Sequence, residues 1–191
     1  MKNIYQDELY GEVAYIETAY GAWEKTAPFM LPYNGGECPV TFCVEFVDQI
    51  YLEIKYGISN EFSLDELSEK EIENAEKWEK EQRELYIKYL QKPNEMMKMV
   101  EDEIVEEYYS QRKNNYPDEA ECVRFLGRDK AEKMMGADTR EKILDLVKFK
   151  KMILVYGGIV ILGDCAWYDT DFGVKVTTEG FAYTGLEENV Y

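Results

Sequence analysis

The stretch MILVYGGIVILGDCAWYDTDFGVKVTTEGFAY, residues 152–183, decides the fold predicted for this chain. It is rich in β-branched and aromatic residues, which is typical of strands separated by turns. Three glycine-containing pairs interrupt it as candidate turns: Gly157-Gly158, Gly163-Asp164 and Glu179-Gly180. Phe172, Val174 and Val176 alternate with Gly173 and Lys175, as expected of a strand with one buried face. The stretch therefore predicts an antiparallel β meander.

The first 60 residues predict further strands. A strong turn signal, Tyr33-Asn34-Gly35-Gly36, separates two of them. The last run, IYLEIKY, places Ile50, Leu52 and Ile54 on one face of a strand. The predicted strands are Glu12–Thr18, a short run at Trp23, Pro28–Pro32, Pro39–Phe46 and Ile50–Tyr56.

The apolar period changes from two to about 3.6 after Phe62, which predicts helices. Ser63 and Ser68 each begin a capping-box pattern, so a long helix starts at one of them and ends before Pro93. Asn94 can cap a second long helix, and the two together predict an antiparallel helical hairpin over 63–113. Three shorter helices are predicted over 117–147: Glu119–Leu126, Arg128–Met135 and Arg140–Val147, the last capped at Asp138-Thr139.

These elements predict an α+β fold in a single domain, 1–191. Its framework is antiparallel β structure from the N- and C-terminal strands, with the helical hairpin inserted between them. The order along the chain is a β meander over 1–60, the insertion over 63–113, short helices over 117–147 and a β meander over 150–191. The two groups of strands are expected to share one sheet or to form two abutting sheets.

The chain carries a net charge of −17 and contains no histidine. This charge disfavours binding to nucleic acids, whose phosphates require lysine and arginine, and to anionic membrane surfaces. It favours a basic protein partner, because opposite fields speed encounter, although solubility alone also explains an acidic surface. The acidic residues concentrate in both β portions and in the long helices, while 114–150 is neutral.

The four cysteines, Cys38, Cys43, Cys122 and Cys165, form no CxxC pair. With no histidine to complete a ligand set, neither a structural metal nor a cofactor is expected. The N-terminal residues have no apolar core typical of a signal peptide, and no apolar run is long enough to span a membrane. These features predict a cytoplasmic protein with reduced thiols.

Catalysis has few candidate residues in this sequence. Nucleophilic pairs that use histidine are impossible, and no glycine-rich phosphate loop is present. The remaining candidates are Asp164, Asp169 and Asp171, which lie beside Trp167 and Tyr168. These aspartates could form turns, contact a partner, or act as a carboxylate pair in a small hydrolase, with Asp169 and Asp171 as the pair.

The region from Cys165 to Val174 resembles a family of uncharacterised bacterial domains in which a strand precedes a motif near Trp-Asp-Glu-Glu-His-Gly and a Gly-Val strand. The match lies mainly over 140–191, and it includes the helix-then-strand lead-in before Val155 and the later Tyr183-Thr184-Gly185. The family is associated with immunity to polymorphic toxins. This chain lacks the motif's histidine and shifts its acidic pair by one residue, so a site that needs that histidine cannot form here.

The sequence and this resemblance together predict a non-enzymatic binding protein, an immunity protein that neutralises a basic toxin by direct docking. The predicted partner-binding residues are Asp164, Trp167, Tyr168, Asp169 and Asp171, with aromatic anchors beside acidic steering groups. Two alternatives remain: the small hydrolase, and a structural or accessory protein that self-associates through an exposed strand edge.

Overall fold

A computed structural model describes residues 4–16, 21–45, 49–58, 63 and 67–187. The strands are β1 (Ile4–Asp7), β2 (Gly11–Ile16), β3 (Ala22–Lys25), β4 (Phe29–Tyr33), β5 (Gly36–Glu45), β6 (Val147–Val155), β7 (Gly158–Cys165), β8 (Phe172–Thr177) and β9 (Ala182–Leu186). The helices are α1 (Gln49–Lys55), α2 (Glu69–Gln91), α3 (Pro93–Asn114), α4 (Glu119–Leu126), α5 (Arg128–Gly136) and α6 (Arg140–Leu144).

The strands form one sheet in the order β1-β2-β3-β5-β6-β7-β8-β9, and β4 pairs with the first half of β5. The predicted α+β fold is confirmed, and strands from both ends of the chain share this sheet. The framework is not wholly antiparallel, because β5 and β6 pair in parallel where the two groups of strands meet. A parallel pair needs a long crossover connection, and the helices α1 to α6 provide it.

The C-terminal meander agrees with its prediction except at one turn. Gly157 and Gly180 adopt positive φ angles in the turns after β6 and β8. The predicted turn at Gly163-Asp164 is wrong, because both residues lie inside β7. There Gly163 faces an irregularity in β6 between Phe149 and Lys151, and a Cβ atom at Gly163 would overlap the carbonyl oxygen of Lys148. Glycine is needed at this position for the close approach of two backbones.

The N-terminal strands are also found, with two differences. Asn34 and Gly35 both have positive φ in the tight turn between β4 and β5, as the turn signal predicts. β1 has no counterpart among the predicted strands. The predicted strand Ile50–Tyr56 is wrong, because most of this run forms helix α1.

Tertiary contacts explain the helical conformation of α1. Lys55 and Tyr56, at and just after its C-terminal end, both reach Glu79 of α2. Glu53 is buried and accepts a hydrogen bond from the Tyr15 hydroxyl at 3.1 Å. These partners lie in distant segments, so they override the period-two pattern that the run shows by itself.

The two long helices begin and end near their predicted positions. Ser68 caps α2 in a complete capping box, and Lys92 alone separates α2 from α3, so Pro93 rather than Asn94 opens the second helix. Leu85, Tyr86 and Tyr89 of α2 are buried, and the ring of Tyr86 contacts the rings of Phe42 and Tyr10. α3 contacts β9, α6, β4 and β8 more than it contacts α2, so it packs chiefly on these elements and less on α2 than an antiparallel hairpin would.

The short helices α4 and α6 begin directly after side chains that cap them. Asp118 and Thr139 accept hydrogen bonds from backbone N–H groups of the first turns of α4 and α6. α6 ends at Leu144, and the buried Val147 belongs to β6 instead of the helix. No described helix combines the length and the apolar character that crossing a membrane requires.

Candidate functional site

The predicted site lies at the end of β7, which contains Asp164, and in the connection between β7 and β8, which packs against α3 and α5. Trp167 is fully buried there, with its ring against Tyr108 and Phe172. The Tyr116 hydroxyl donates a hydrogen bond to the Trp167 carbonyl oxygen at 3.1 Å. Trp167 is therefore a core residue, and its side chain is not available to a partner in this structure.

Tyr168 is half-buried and is held by α3. Its hydroxyl donates to a carboxylate oxygen of Glu107 at 2.5 Å and accepts from the amide of Gln111 at 3.0 Å. Burial raises the pKa of Tyr168, and the hydrogen bond to the Glu107 carboxylate raises it further. Tyr168 thus connects the β7–β8 connection to α3 and has little freedom to engage a partner.

The three aspartates of the predicted site are exposed, with side-chain exposures of 56% for Asp164, 72% for Asp169 and 55% for Asp171. Lys150 contacts Asp164 at 2.5 Å and Asp171 at 3.7 Å, and Lys130 contacts Asp169 at 2.9 Å. A carboxyl group that serves as a general acid near neutral pH needs a desolvated environment. These residues have instead exposed side chains, each beside a lysine.

An acidic surface that the sequence did not single out lies on α3. Arg140 contacts Glu101 at 3.3 Å and Asp102 at 2.7 Å. Within the described residues, no lysine or arginine forms an ion pair with the next three acids of the helix, Glu103, Glu106 and Glu107, which we call the α3 acidic flank. In the sequence these acids read as an ordinary solvated helix face.

The charges in the α3 acidic flank repel one another. Partial burial raises the pKa of Glu103, and the neighbouring carboxylates of Glu106, Glu107 and Asp102 raise it further. Like charges three or four positions apart on a helix are neighbours and destabilise it. The flank is thus a local concentration of negative charge that the rest of the described chain does not neutralise.

The flank faces the β8–β9 end of the sheet. α3 contacts both β8 and β9. Glu107 reaches Tyr168, which lies just before β8, and Glu103 is one turn earlier on the same side of the helix. Glu107 therefore lies near the start of β8, and the flank belongs to a helix that also packs against β9, the last strand of the sheet.

β9 is an edge strand. Among the described residues it pairs only with β8. The Thr177 N–H donates to the Phe181 carbonyl at 2.8 Å, and the Glu187 N–H donates to the Asp171 carbonyl at 3.0 Å. Because inward and outward groups alternate along an antiparallel strand, residue 184 and its next-but-one neighbours, 182 and 186, direct their N–H and C=O groups away from β8.

Exposed aromatic side chains surround this end of the sheet. Phe181 is 66% exposed, and Tyr183 and Tyr156 are exposed as well. Tyr156 and Tyr183 also line a cleft of about 610 Å³, whose charged lining includes both acids of α2, such as Glu81, and the lysines Lys88 and Lys175. Aromatic residues are enriched at protein–protein interfaces, so these exposed rings are candidate contact residues.

The thiols give no indication of reactivity. All four cysteines are free, and burial raises the pKa of Cys43 to about 11 and that of Cys165 to about 12. A reactive cysteine requires the opposite shift. Across the part of the chain that the structure describes, no cluster of three or more carboxylates and thiols is arranged to hold a metal ion.

Comparisons with known proteins found no match for this chain. No protein-family model matches it, and neither a curated protein nor a solved structure shows significant similarity. The similarity to bacterial immunity-associated domains therefore stays a prediction from the C-terminal motif.

Proposed function

We propose that this chain is a non-enzymatic binding protein that docks onto a basic protein, in the manner of an immunity protein that neutralises a toxin. The observation that carries the proposal is the α3 acidic flank, which forms no ion pair with a described lysine or arginine and belongs to a helix that packs against the edge strand β9. The net charge of −17 provides a long-range field of the same sign. Opposite charge on a partner would speed its approach and orient it.

The proposed contact surface differs from the predicted one. Trp167 is buried and Tyr168 is hydrogen-bonded to α3, so we assign neither as an anchor. We propose the exposed rings of Phe181 and Tyr183 as the anchors instead, with Glu103 and Glu106 as steering charges. Asp164, Asp169 and Asp171 remain exposed and could contribute to the rim, although each is already beside a lysine.

The proposal includes no catalytic step. The hydrolase alternative requires Asp169 and Asp171 to act on a bound substrate from a site that excludes water. Both side chains are more than half exposed and contact lysines, and this arrangement gives that alternative no support. The cytoplasmic location expected from the free thiols is part of the same proposal.

Self-association through a strand edge is the other alternative. A second copy on β9 would bring a second α3 acidic flank to the same edge, where the two sets of carboxylates would repel each other. Gel filtration over a range of concentrations tests this directly. We expect no concentration-dependent increase in size at low salt.

The proposal is tested by isolating the partner and measuring its association rate. The chain is used as bait in an extract of its native cells, the retained protein is purified, and the association rate constant is measured between about 50 and 500 mM salt. We expect a basic partner whose association slows at least about tenfold over this range. A partner that is not basic, or a rate that does not depend on salt, would contradict the proposal.

Two charge-reversal variants make this test specific. Glu103→Lys with Glu106→Lys reverses the flank, and it should slow association more than the same number of reversals elsewhere. The matched control is Glu119→Lys with Glu132→Lys, at exposed positions on α4 and α5. Equal effects of the two pairs would show that only net charge matters and that the flank has no special role.

A further inference from the structure

We propose that the basic partner binds by adding an extended segment to the β9 edge, with lysine or arginine at every second position. This inference rests on the proposed function and deepens it, because it names the part of the surface and the form of the partner. An exposed sheet edge is a template on which a peptide strand can form main-chain hydrogen bonds.

The main-chain groups for this pairing are in place. The N–H and C=O groups of Ala182, Thr184 and Leu186 point away from β8, whereas those of Tyr183 and Gly185 pair with it. β9 is five residues long, which is an ordinary strand length. An added strand would therefore find a regular row of donors and acceptors along the whole of β9.

The two faces of the sheet at β9 favour different kinds of partner side chain. Ala182, Thr184 and Leu186 pair across from the buried Val176, Val174 and Phe172, so they share the face of the sheet that α3 covers. Partner residues on that face would lie beside the α3 acidic flank, and positive charge would be favoured there. Tyr183 and its exposed neighbour Phe181 lie on the opposite face, where apolar partner residues would pack.

β1, the strand at the opposite end of the strand order, is a poorer candidate. β1 is four residues long, and its only carboxylate, Asp7, already contacts Arg83 at 2.5 Å and accepts hydrogen bonds from the N–H groups of Leu9 and Tyr10. A basic strand on β1 would find this charge already neutralised. Charge complementarity therefore selects β9 over β1.

The inference is tested with a fluorescent heptapeptide of alternating lysine and valine, whose binding is followed by anisotropy. We expect the wild-type chain to bind it, and the same peptide with glutamate in place of lysine to bind at least about tenfold more weakly. Thr184→Pro removes an outward N–H group without interrupting the β8 ladder, and it should weaken binding by about tenfold. The matched control, Thr184→Val, keeps the N–H group and should stay within about twofold.

A second measurement avoids dependence on the proline variant. In the wild-type chain, the peptide should slow hydrogen exchange at the amides of Ala182, Thr184 and Leu186 specifically. Protection of β1, or of no strand, would overturn the inference, as would unchanged affinity in a folded Thr184→Pro variant. If the natural partner binds with strong salt dependence but tolerates Thr184→Pro, strand addition is wrong while the proposed function stands.

Discussion

The first and last strands in the order of the sheet, β1 and β9, differ in the arrangement of the acidic groups near them. Near β1, Arg83 joins Asp7 and Glu79, and Lys55 and Tyr56 also contact Glu79. The pKa values of Asp7 and Glu79 are lowered despite burial, because these hydrogen bonds and charges favour the carboxylates. On α3, burial and neighbouring carboxylates raise the pKa of Glu103. The carboxylates near β1 form ion pairs within the chain, whereas Glu103, on the helix that contacts β9, forms none with a described residue.

The charges near β1 stabilise the fold, whereas those of the α3 acidic flank are suited to binding a partner. The network at β1 ties β1, α1 and α2 together, so removing a member should reduce stability. In the α3 acidic flank, Glu103 and Glu106 contribute repulsion without the hydrogen bond from Tyr168 that Glu107 accepts, so removing either of them should increase stability and reduce binding. A stability cost at an exposed surface is a common mark of function.

Removal of Arg83 should have the largest effect on stability. Arg83→Met leaves the Asp7 carboxylate, whose side chain is 10% exposed, without its cationic partner. We expect the free energy of unfolding to fall by about 3 kcal/mol in urea denaturation. The control Arg124→Met removes an exposed i,i+3 pair with Glu121 and should cost less than about 0.5 kcal/mol. Equal losses would show that the β1 network is no more important than a surface pair.

The same network should depend on pH. Because the pKa values of Asp7 and Glu79 are lowered in the folded chain, their stabilising contribution is present above the unfolded values near pH 4 and is lost as the pH falls through the folded values. The stability difference between wild type and Arg83→Met should therefore shrink below about pH 4. A difference that is constant from pH 7 to pH 3 would contradict this assignment.

Tyr168→Phe should have an intermediate effect. The substitution keeps the ring against Phe172 and removes the hydroxyl that donates to Glu107 and accepts from Gln111. We expect a loss of about 1 kcal/mol, measured by thermal or urea unfolding. No loss would mean that the tyrosine hydroxyl does not fasten the β7–β8 connection to α3.

Glu103→Gln should have the smallest effect on stability, with the opposite sign. The substitution relieves repulsion from Glu106 and Glu107 and should increase the free energy of unfolding by about 0.5 kcal/mol at pH 7. Because the pKa of Glu103 is raised, this gain should disappear as the pH falls below about 4, where the wild-type side chain is itself protonated. Glu132→Gln is the control, and an equal gain there would remove the distinction between the flank and ordinary surface acids.

The sequence predicted the local features whose causes are local. The Ser68 capping box, the Asn34-Gly35 turn and the alternation of Phe172, Val174 and Val176 depend on residues a few positions apart, and all are found. The prediction of a strand over Ile50–Tyr56 is wrong because the contacts that stabilise the helix there come from Glu79 and Tyr15. The prediction of a turn at Gly163-Asp164 is wrong because the glycine allows the backbone to approach Lys148 closely across the sheet.

The candidate site was harder to foresee for the same reason. Trp167 and Tyr168 are in the predicted contact set, although the sequence also suits Trp167 to a core position, and the packing of α3 against both residues makes them internal. Glu103, Glu106 and Glu107 look like any acidic helix face. Their significance depends on which acids Arg140 neutralises and on the position of β9, and both are set by the tertiary structure.

The most direct test of the difference between β1 and β9 is an NMR titration of the wild-type chain with the alternating lysine-valine heptapeptide. Backbone amide signals of β1 and β9 are followed in the same experiment. We expect the signals of Ala182, Thr184 and Leu186 to shift and saturate while those of Ile4–Asp7 stay unchanged. Shifts at β1, or at both strands alike, would contradict this expectation.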